Sequence, residues 1–278
     1  MPRPSSVRYL LGNAFYGMAV TEWGDPLAPP VVCVHGLTRN GRDFDSLALA
    51  LSEDFRVICP DLPGRGGSDW LPDGALYQPP SYVQALSHLL AAIGRPVMWV
   101  GTSLGGICGM MVAAGHGQPI TRMVLNDIGP FIPKPALDRI RGYIGATQDF
   151  ADVAALERHL RTIHRPFGDL TDAQWHHLAE YSARVLPSGR VALHYDPAIA
   201  DPIVATEPQD VNLWPLWGMI SVPMMVVRGE TSDLLDAATY DAMVKSGVQG
   251  LVVENAGHAP ALMDAPTIAA IKTFLLAR

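Results

Sequence analysis

Cysteine is scarce in this chain of 278 residues, which has only three. Cys33, Cys59 and Cys108 form no C-x-x-C pair, are odd in number and lie within apolar runs. Free cysteine is among the most buried residue types, so we expect all three to be reduced core residues. Disulfides are rare in reducing compartments, and this pattern therefore predicts a cytoplasmic protein.

The chain also has few charged residues and no long apolar run. Only 17% of the residues are charged, the net charge is −7, and the lysines and arginines form no block. This argues against a nucleic acid or an anionic membrane surface as partner. No apolar run approaches the roughly 18–20 residues of a membrane-spanning helix. Residues 1–11 lack the apolar core of a secretory signal, so we expect the mature chain to start near Met1 and to act on a small molecule.

The apolar content of 49% is ample for a large core. Eight short β-rich runs are bounded by Gly, Pro or Asp, at 7–11, 15–23, 31–35, 56–60, 97–101, 123–127, 224–228 and 250–254. The first two predict an antiparallel hairpin around Gly12 and Asn13. The later runs are continuously apolar, which is typical of strands buried on both faces of a parallel sheet.

Helical patterns alternate with these runs, at 43–51, 81–93, 104–115, 237–245 and 265–276. Alternation of this kind predicts an α/β fold: a doubly wound, mostly parallel sheet of eight strands with right-handed crossovers.

One region interrupts the alternation. Residues 130–222 contain no obvious buried strand but four helical stretches, at 135–146, 150–164, 171–185 and 213–220. We expect a helical cap inserted after the sixth strand, which divides the core into residues 1–129 and 223–278. Ligands of open α/β sheets bind at the carboxyl ends of the strands, which such a cap would cover.

The sharpest chemical signal is the segment Gly-Thr-Ser-Leu-Gly-Gly at 101–106. It contains G-x-S-x-G, follows a predicted strand and begins a predicted helix. A sharp strand-to-helix turn exposes the hydroxyl of Ser103 above the sheet, and glycines leave room for the turn. Ser103 is therefore the candidate nucleophile, and the start of the helix is suited to a developing negative charge.

Two backbone N–H groups are candidates for an oxyanion hole. One belongs to Leu104, the residue after the nucleophile, and the other to Leu37, in the loop His35-Gly36-Leu37 after the third strand. His35 is interpreted as a residue that bonds loop backbone, because it ends a strand rather than standing in the position of a base.

A serine hydroxyl needs a base to take its proton. His258 follows the last strand, in Glu-Asn-Ala-Gly-His-Ala-Pro at 254–260, and is the candidate. His159, His164, His176 and His177 are expected on cap helices without ligand spacing, so neither a metal nor another cofactor is predicted.

Two aspartates compete to orient the base. Asp233 follows the seventh strand and completes the chain order Ser, Asp, His that is expected for a sheet of this kind. Asp127 ends the sixth strand at the same edge. We favour Asp233 and interpret Asp127 as a hinge residue that bonds loop amides.

Together these motifs resemble the α/β-hydrolase family over nearly the whole chain. The resemblance includes the loop Asp-Leu-Pro-Gly-Arg-Gly-Gly-Ser-Asp at 61–69. It has no Lys-Ser or Lys-Thr, which argues against a phosphate-binding loop. One departure concerns the acid. The commoner family pattern is Gly-x-x-Asp, which would place the aspartate at position 232. Here that position is Ser232, and Asp233 lies one residue further from Gly229.

The resemblance implies hydrolysis of a small carboxylic ester, lactone or thioester with an apolar acyl or alkyl group. Related enzymes that are dehalogenases or epoxide hydrolases use an aspartate where Ser103 stands, which argues against those activities. A C–C bond hydrolase, a cofactor-free perhydrolase and a non-catalytic protein that binds a small ligand remain as alternatives. Trp175, Tyr181, Trp214 and Trp217 are candidate pocket residues, although helical aromatics are more often core.

Overall fold

The computed structural model describes residues 1–145 and 148–277. Its strands are β1 (Arg3–Leu11), β2 (Ala14–Trp23), β3 (Pro30–Val34), β4 (Arg56–Pro60), β5 (Val97–Thr102), β6 (Ile120–Asn126), β7 (Phe131–Ile132), β8 (Asp149–Phe150), β9 (Ala183–Val185), β10 (Val191–Leu193), β11 (Val211–Asn212), β12 (Met224–Gly229) and β13 (Gln249–Val253). Its α-helices are α1 (Asp45–Leu51), α2 (Pro79–Ile93), α3 (Leu104–Ala113), α4 (Lys134–Arg141), α5 (Val153–Ile163), α6 (Asp172–Ser182), α7 (Asp201–Val204), α8 (Trp214–Trp217), α9 (Ala237–Lys245) and α10 (Ala265–Leu276).

Eight strands form the main sheet in the order β1-β2-β4-β3-β5-β6-β12-β13. β1 pairs antiparallel with β2, and β2 pairs antiparallel with β4. The other neighbours are parallel, and the predicted hairpin around Gly12 and Asn13 is confirmed. The prediction of a mostly parallel, doubly wound α/β sheet is therefore confirmed.

The central strands are buried on both sides because helices cover both faces of the sheet, whereas the edge strands β1 and β13 are largely exposed. One face packs α1 and α10 in a core that includes Leu47, Leu51, Ile271 and Phe274. The other face packs α2 and α3, with Trp99 fully buried between them and the sheet. Such burial stabilises the fold by roughly 25 cal/mol for each Å² of apolar surface removed from water. The three cysteines are free and buried, as expected.

The segment between β6 and β12, called the cap segment for residues 130–222, is more irregular than the sequence indicates. Besides its helices it forms a three-stranded sheet, β8-β10-β9, and the short pair β11-β7. The sequence indicated no obvious buried strand here, and these short strands are mostly half-buried or exposed. The predicted helix at 171–185 ends at Ser182, because the next three residues pair with β10. The predicted helix at 135–146 reaches only Arg141, and Ala146 lies outside the described residues.

None of the described helices combines the length and the apolar character needed to cross a membrane.

Candidate active site

Ser103 stands at the turn from β5 into α3, where the backbone is strained. Its φ is 50° and its ψ is −113°, in a region that L-residues rarely adopt. The turn is tight because Gly101 and Gly105 approach each other: a Cβ on Gly101 would lie 2.5 Å from Gly105 O. A Cβ on Gly105 would in turn overlap Val34 O of the neighbouring strand. The backbone N–H of Ser103 donates to Asn126 O at 3.0 Å, which ties the turn to β6.

His258 faces the serine from the loop between β13 and α10. Its Nε2 lies 3.0 Å from Ser103 Oγ, and its side chain is only 11% exposed. The loop is anchored by the Gly257 N–H, which donates to Pro166 O of the cap segment at 2.8 Å. The ring is thus held within hydrogen-bond reach of the hydroxyl, which is the first geometric requirement for a general base.

Asp127 contacts the other nitrogen of this ring. Its Oδ2 lies 2.7 Å from His258 Nδ1, and the residue is 0% exposed. The carboxylate also accepts the Gly229 N–H at 2.8 Å and the Ser232 hydroxyl at 2.5 Å. Three donors therefore compensate a fully buried charge, which would be costly without them. Since a carboxylate only accepts, Nδ1 carries the proton and Nε2 is left free to accept from Ser103.

The structure corrects the expectation that Asp233 orients the base. The Asp233 side chain is 50% exposed and pairs with Arg139, with Nε–Oδ2 and Nη2–Oδ1 distances of 2.5 and 2.9 Å. The preceding residue, Ser232, points inward instead and donates to Asp127. The one-residue departure from the family pattern thus has a physical consequence: the carboxylate that contacts His258 belongs to the residue after β6, and position 232 after β12 carries a serine that donates to it.

Leu37 and Leu104 border the same cavity as Ser103 and His258, as expected for oxyanion donors. Leu104 begins α3, where N–H groups have no carbonyl of their own helix to bind. The Leu37 N–H donates to no backbone carbonyl of the described residues. Gly36 packs directly against the nucleophile, since a Cβ on it would lie 3.7 Å from Ser103 Cβ.

His35 bonds loop backbone, as predicted. Its Nε2 accepts the Leu62 N–H at 2.9 Å, so Nδ1 carries the proton and donates to Gly36 O at 2.7 Å. Burial is the main cause that lowers the pKa of His35 to about 3; the bond to Gly36 O opposes this shift, and the nearby charges of Arg65 and Arg39 add to it. His35 is therefore neutral at physiological pH.

The lowered pKa of His35 predicts acid destabilisation. Below about pH 6.5 the unfolded chain protonates His35, whereas the folded protein resists protonation down to about pH 3. The unfolded state then binds more protons than the folded state. At pH values well below 6.5, the free energy of unfolding should therefore decrease by about 1.4 kcal/mol for each unit by which the pH is lowered. Urea unfolding between pH 7.5 and 5 measures this slope.

The matched controls for this slope are two histidine variants. His35→Asn should flatten it, with a residual slope from His164, whose pKa burial also lowers. His116→Gln, at an exposed position, should leave it unchanged. A constant free energy of unfolding from pH 7 to 5 in the wild type would contradict the prediction.

A cavity of about 830 Å³ opens at Ser103. Most of its wall is apolar and comes from both the sheet edge and the cap segment, including Ile107, Met111, Ile128, Ile132, Leu137, Ile140, Leu213 and Leu234. The four aromatics that the sequence indicated are not among the described lining residues, and Trp175 and Trp217 are core. Tyr77, Tyr82, Tyr143 and Phe167 line the cavity instead. Nothing in their sequence context distinguishes these aromatics from the others.

Within the described residues, no group of three or more His, Cys, Asp or Glu side chains is arranged to hold a metal ion.

Comparison with known proteins agrees with this geometry. The model of the alpha/beta hydrolase family matches residues 31–270. A 3-hydroxybutyrate-oligomer hydrolase from Cupriavidus necator is 39% identical over 98% of this chain and 97% of its own length. An esterase from Mycobacterium tuberculosis is 27% identical over 87% of this chain and 80% of its own. The crystal structure of an alpha/beta hydrolase from Novosphingobium aromaticivorans superimposes with a TM-score of 0.88 at 39% identity, covering 99% of this chain and 98% of that one. This chain therefore belongs to the alpha/beta hydrolase family and is a hydrolase.

Proposed function

We propose that this hydrolase cleaves carboxylic esters through an acyl-enzyme, with Ser103 as nucleophile, His258 as base and Asp127 as the acid that orients it. The observation that carries the proposal is the unbroken chain of hydrogen bonds from Ser103 Oγ to His258 Nε2 at 3.0 Å and from His258 Nδ1 to Asp127 Oδ2 at 2.7 Å. Nucleophile, base and orienting group within hydrogen-bond reach are the signature of covalent catalysis by serine.

The reaction proceeds in two rounds at the same atoms. His258 Nε2 takes the hydroxyl proton as Ser103 Oγ bonds to the acyl carbon, and the carbonyl electron pair moves to oxygen. The N–H groups of Leu37 and Leu104 bind that oxyanion. The intermediate collapses, and His258 returns the proton to the leaving alcohol. A water then attacks the acyl-enzyme in the same way and releases the acid.

The cavity and one relative support a proposal for the substrate class. The cavity volume of about 830 Å³ is large enough for a ligand bigger than a single short ester, and the cavity wall is mostly apolar. The relative from Cupriavidus necator is named for hydrolysis of 3-hydroxybutyrate oligomers. We therefore propose linear esters of short hydroxy acids as substrates, with lactones and thioesters as secondary candidates.

One cation on the cavity wall supports a substrate with a free carboxylate. Arg39 is buried, and its Nε and Nη2 are paired with Asp43 at 2.7 and 2.8 Å. Its remaining edge, Nη1, lies 3.4 Å from His164 Nε2, and both residues line the cavity. Burial lowers the pKa of His164 and so keeps its ring neutral. The neutral ring does not compete with Arg39 for a bound carboxylate. A carboxylate bound to Nη1 would gain a charge-assisted hydrogen bond.

Kinetics with 3-hydroxybutyrate dimer and its methyl ester test this assignment. Arg39→Gln should raise KM for the free acid about tenfold or more, since hydrogen bonds to charged groups contribute about 1.5–3 kcal/mol. The methyl ester should keep its KM within about threefold, because it has no carboxylate to bind.

The methyl ester is the matched control for the loss of the Arg39–Asp43 pair itself. An equal rise of KM for both substrates would contradict carboxylate binding at Arg39.

The same assay separates the alternative functions. Wild-type protein that binds the dimer but releases no acid would be the small-ligand-binding protein. Activity on vinylogous diketones, or with hydrogen peroxide, that exceeds ester turnover would favour the C–C hydrolase or the perhydrolase.

A further inference from the structure

Arg65, in the loop after β4, is a fully buried cation that bonds only neutral groups. Its side chain is among the largest with no exposed surface. Nη1 donates to Pro63 O at 2.6 Å and to the Tyr82 hydroxyl at 2.8 Å, and Nε donates to Leu37 O at 2.9 Å. Nη2 is buried and has no partner among the described residues. A buried charge without a carboxylate is costly, so its presence needs a reason beyond packing.

The bond to Leu37 O places Arg65 directly behind the oxyanion hole. Leu37 lies between two peptide units, and each is held by a buried side chain. His35 Nδ1 donates to Gly36 O, in the unit that contains the Leu37 N–H. Arg65 Nε donates to Leu37 O, in the unit that follows. With both units held, the Leu37 backbone has little freedom to reorient its N–H.

This restraint matters because the segment around Leu37 belongs to no helix or strand that could hold it. An oxyanion donor is effective only when it already points to the position that the oxygen will occupy. A carbonyl–guanidinium bond is also stronger than a bond between neutral groups, and more so in a buried site.

We propose that Arg65 is a positioning residue of the oxyanion hole. It aims the Leu37 N–H at the developing oxyanion through the Leu37 carbonyl. No carboxylate of the described residues contacts the guanidinium directly. Its positive charge therefore also favours negative charge on this side of the site. The inference rests on the proposed ester hydrolysis. It differs from a purely structural role because the effect acts on the transition state and not on substrate binding.

The experiment compares Arg65→Met and Arg65→Lys with the wild type, with kcat expressed per active site titrated by an organophosphonate. Titration counts only folded, reactive molecules, so a fraction that fails to fold does not affect the result. We expect kcat to fall about 10- to 100-fold in Arg65→Met, below the 10²–10³ typical of losing a donor outright. Lysine keeps the charge but not the planar fork, and should recover part of the loss. KM should stay within about threefold.

An alkyl trifluoromethyl ketone supplies a second measurement. Ser103 Oγ adds to its carbonyl carbon, His258 Nε2 takes the hydroxyl proton, and the carbonyl oxygen becomes an oxyanion in the hole. Its inhibition constant should rise by about the same factor as kcat falls. Arg56→Met, which removes an arginine paired with Glu22 at the far end of β4, is the control and should leave both values unchanged.

A kcat per titrated site within about threefold of wild type in Arg65→Met would overturn the proposal. So would a loss confined to KM, or an unchanged affinity for the ketone. Failure of the proposed function gives a different result: wild-type protein would neither hydrolyse the ester nor react with the organophosphonate.

Discussion

Replacing Ser103 with alanine should abolish ester hydrolysis without unfolding the protein. Losing a triad nucleophile typically lowers kcat on the order of 10⁴–10⁶, because no other group can form the acyl-enzyme. Alanine is no larger than serine, so the tight turn against Gly105 and Val34 should remain intact. Release of p-nitrophenol from a short ester measures the loss, and thermal unfolding measures the stability.

Covalent labelling identifies the nucleophile independently of turnover. A serine-directed organophosphonate should add to Ser103 in the wild type and to no residue of Ser103→Ala, as read by peptide mass. Ser87→Ala, on the exposed side of α2, is the matched control and should keep full activity and labelling. Label on another serine, with Ser103→Ala still active, would refute the assignment.

The second large effect concerns the acid. Asp127→Asn should lower kcat about 10³- to 10⁴-fold, the scale known for triad aspartates. The asparagine amide would face His258 Nδ1 with a donor or a weaker acceptor, so the ring would lose the tautomer that leaves Nε2 free for Ser103.

Asp233→Asn is the matched control for this substitution. It breaks only the ion pair with Arg139, in which both side chains are about half exposed. Such surface pairs contribute about 0–1 kcal/mol to stability, so activity should stay within about tenfold and the fold should be unaffected. The reverse ranking of the two variants would return the acid to the loop after β12. Equal partial losses, with collapse only in the double variant, would mean that the two carboxylates share the role.

The choice between these aspartates shows where reasoning from the sequence failed. Both follow strands of the same sheet edge, and the chain order Ser, Asp, His favoured Asp233. In the structure only Asp127 contacts His258, because side-chain direction changes with a shift of one residue in the loop after Gly229. Ser232 points inward and Asp233 outward, a difference that only the folded loop reveals.

The cap segment and the cavity were predicted less well than the sheet. The strands β8, β9 and β10 have two or three residues each, and β10 pairs with β8 across a long stretch of chain, as in Val191 with Phe150. A periodicity analysis cannot detect them. The cavity aromatics were missed for a related reason: Tyr77, Tyr143 and Phe167 lie outside the α-helices, so whether they face the core or the cavity depends on how the loops pack.

By itself, the sequence determined the alternating α/β architecture, the position of Ser103 at its turn and the loop that presents His258. These are local properties, because buried strands need continuous apolar residues and the turn needs glycines beside the serine. Tertiary structure alone decided that Asp127 meets His258 and that Arg65 reaches the Leu37 carbonyl. Each contact joins residues that are distant in the chain, 131 and 28 positions apart, and their approach depends on strand order and loop packing, which no local pattern encodes.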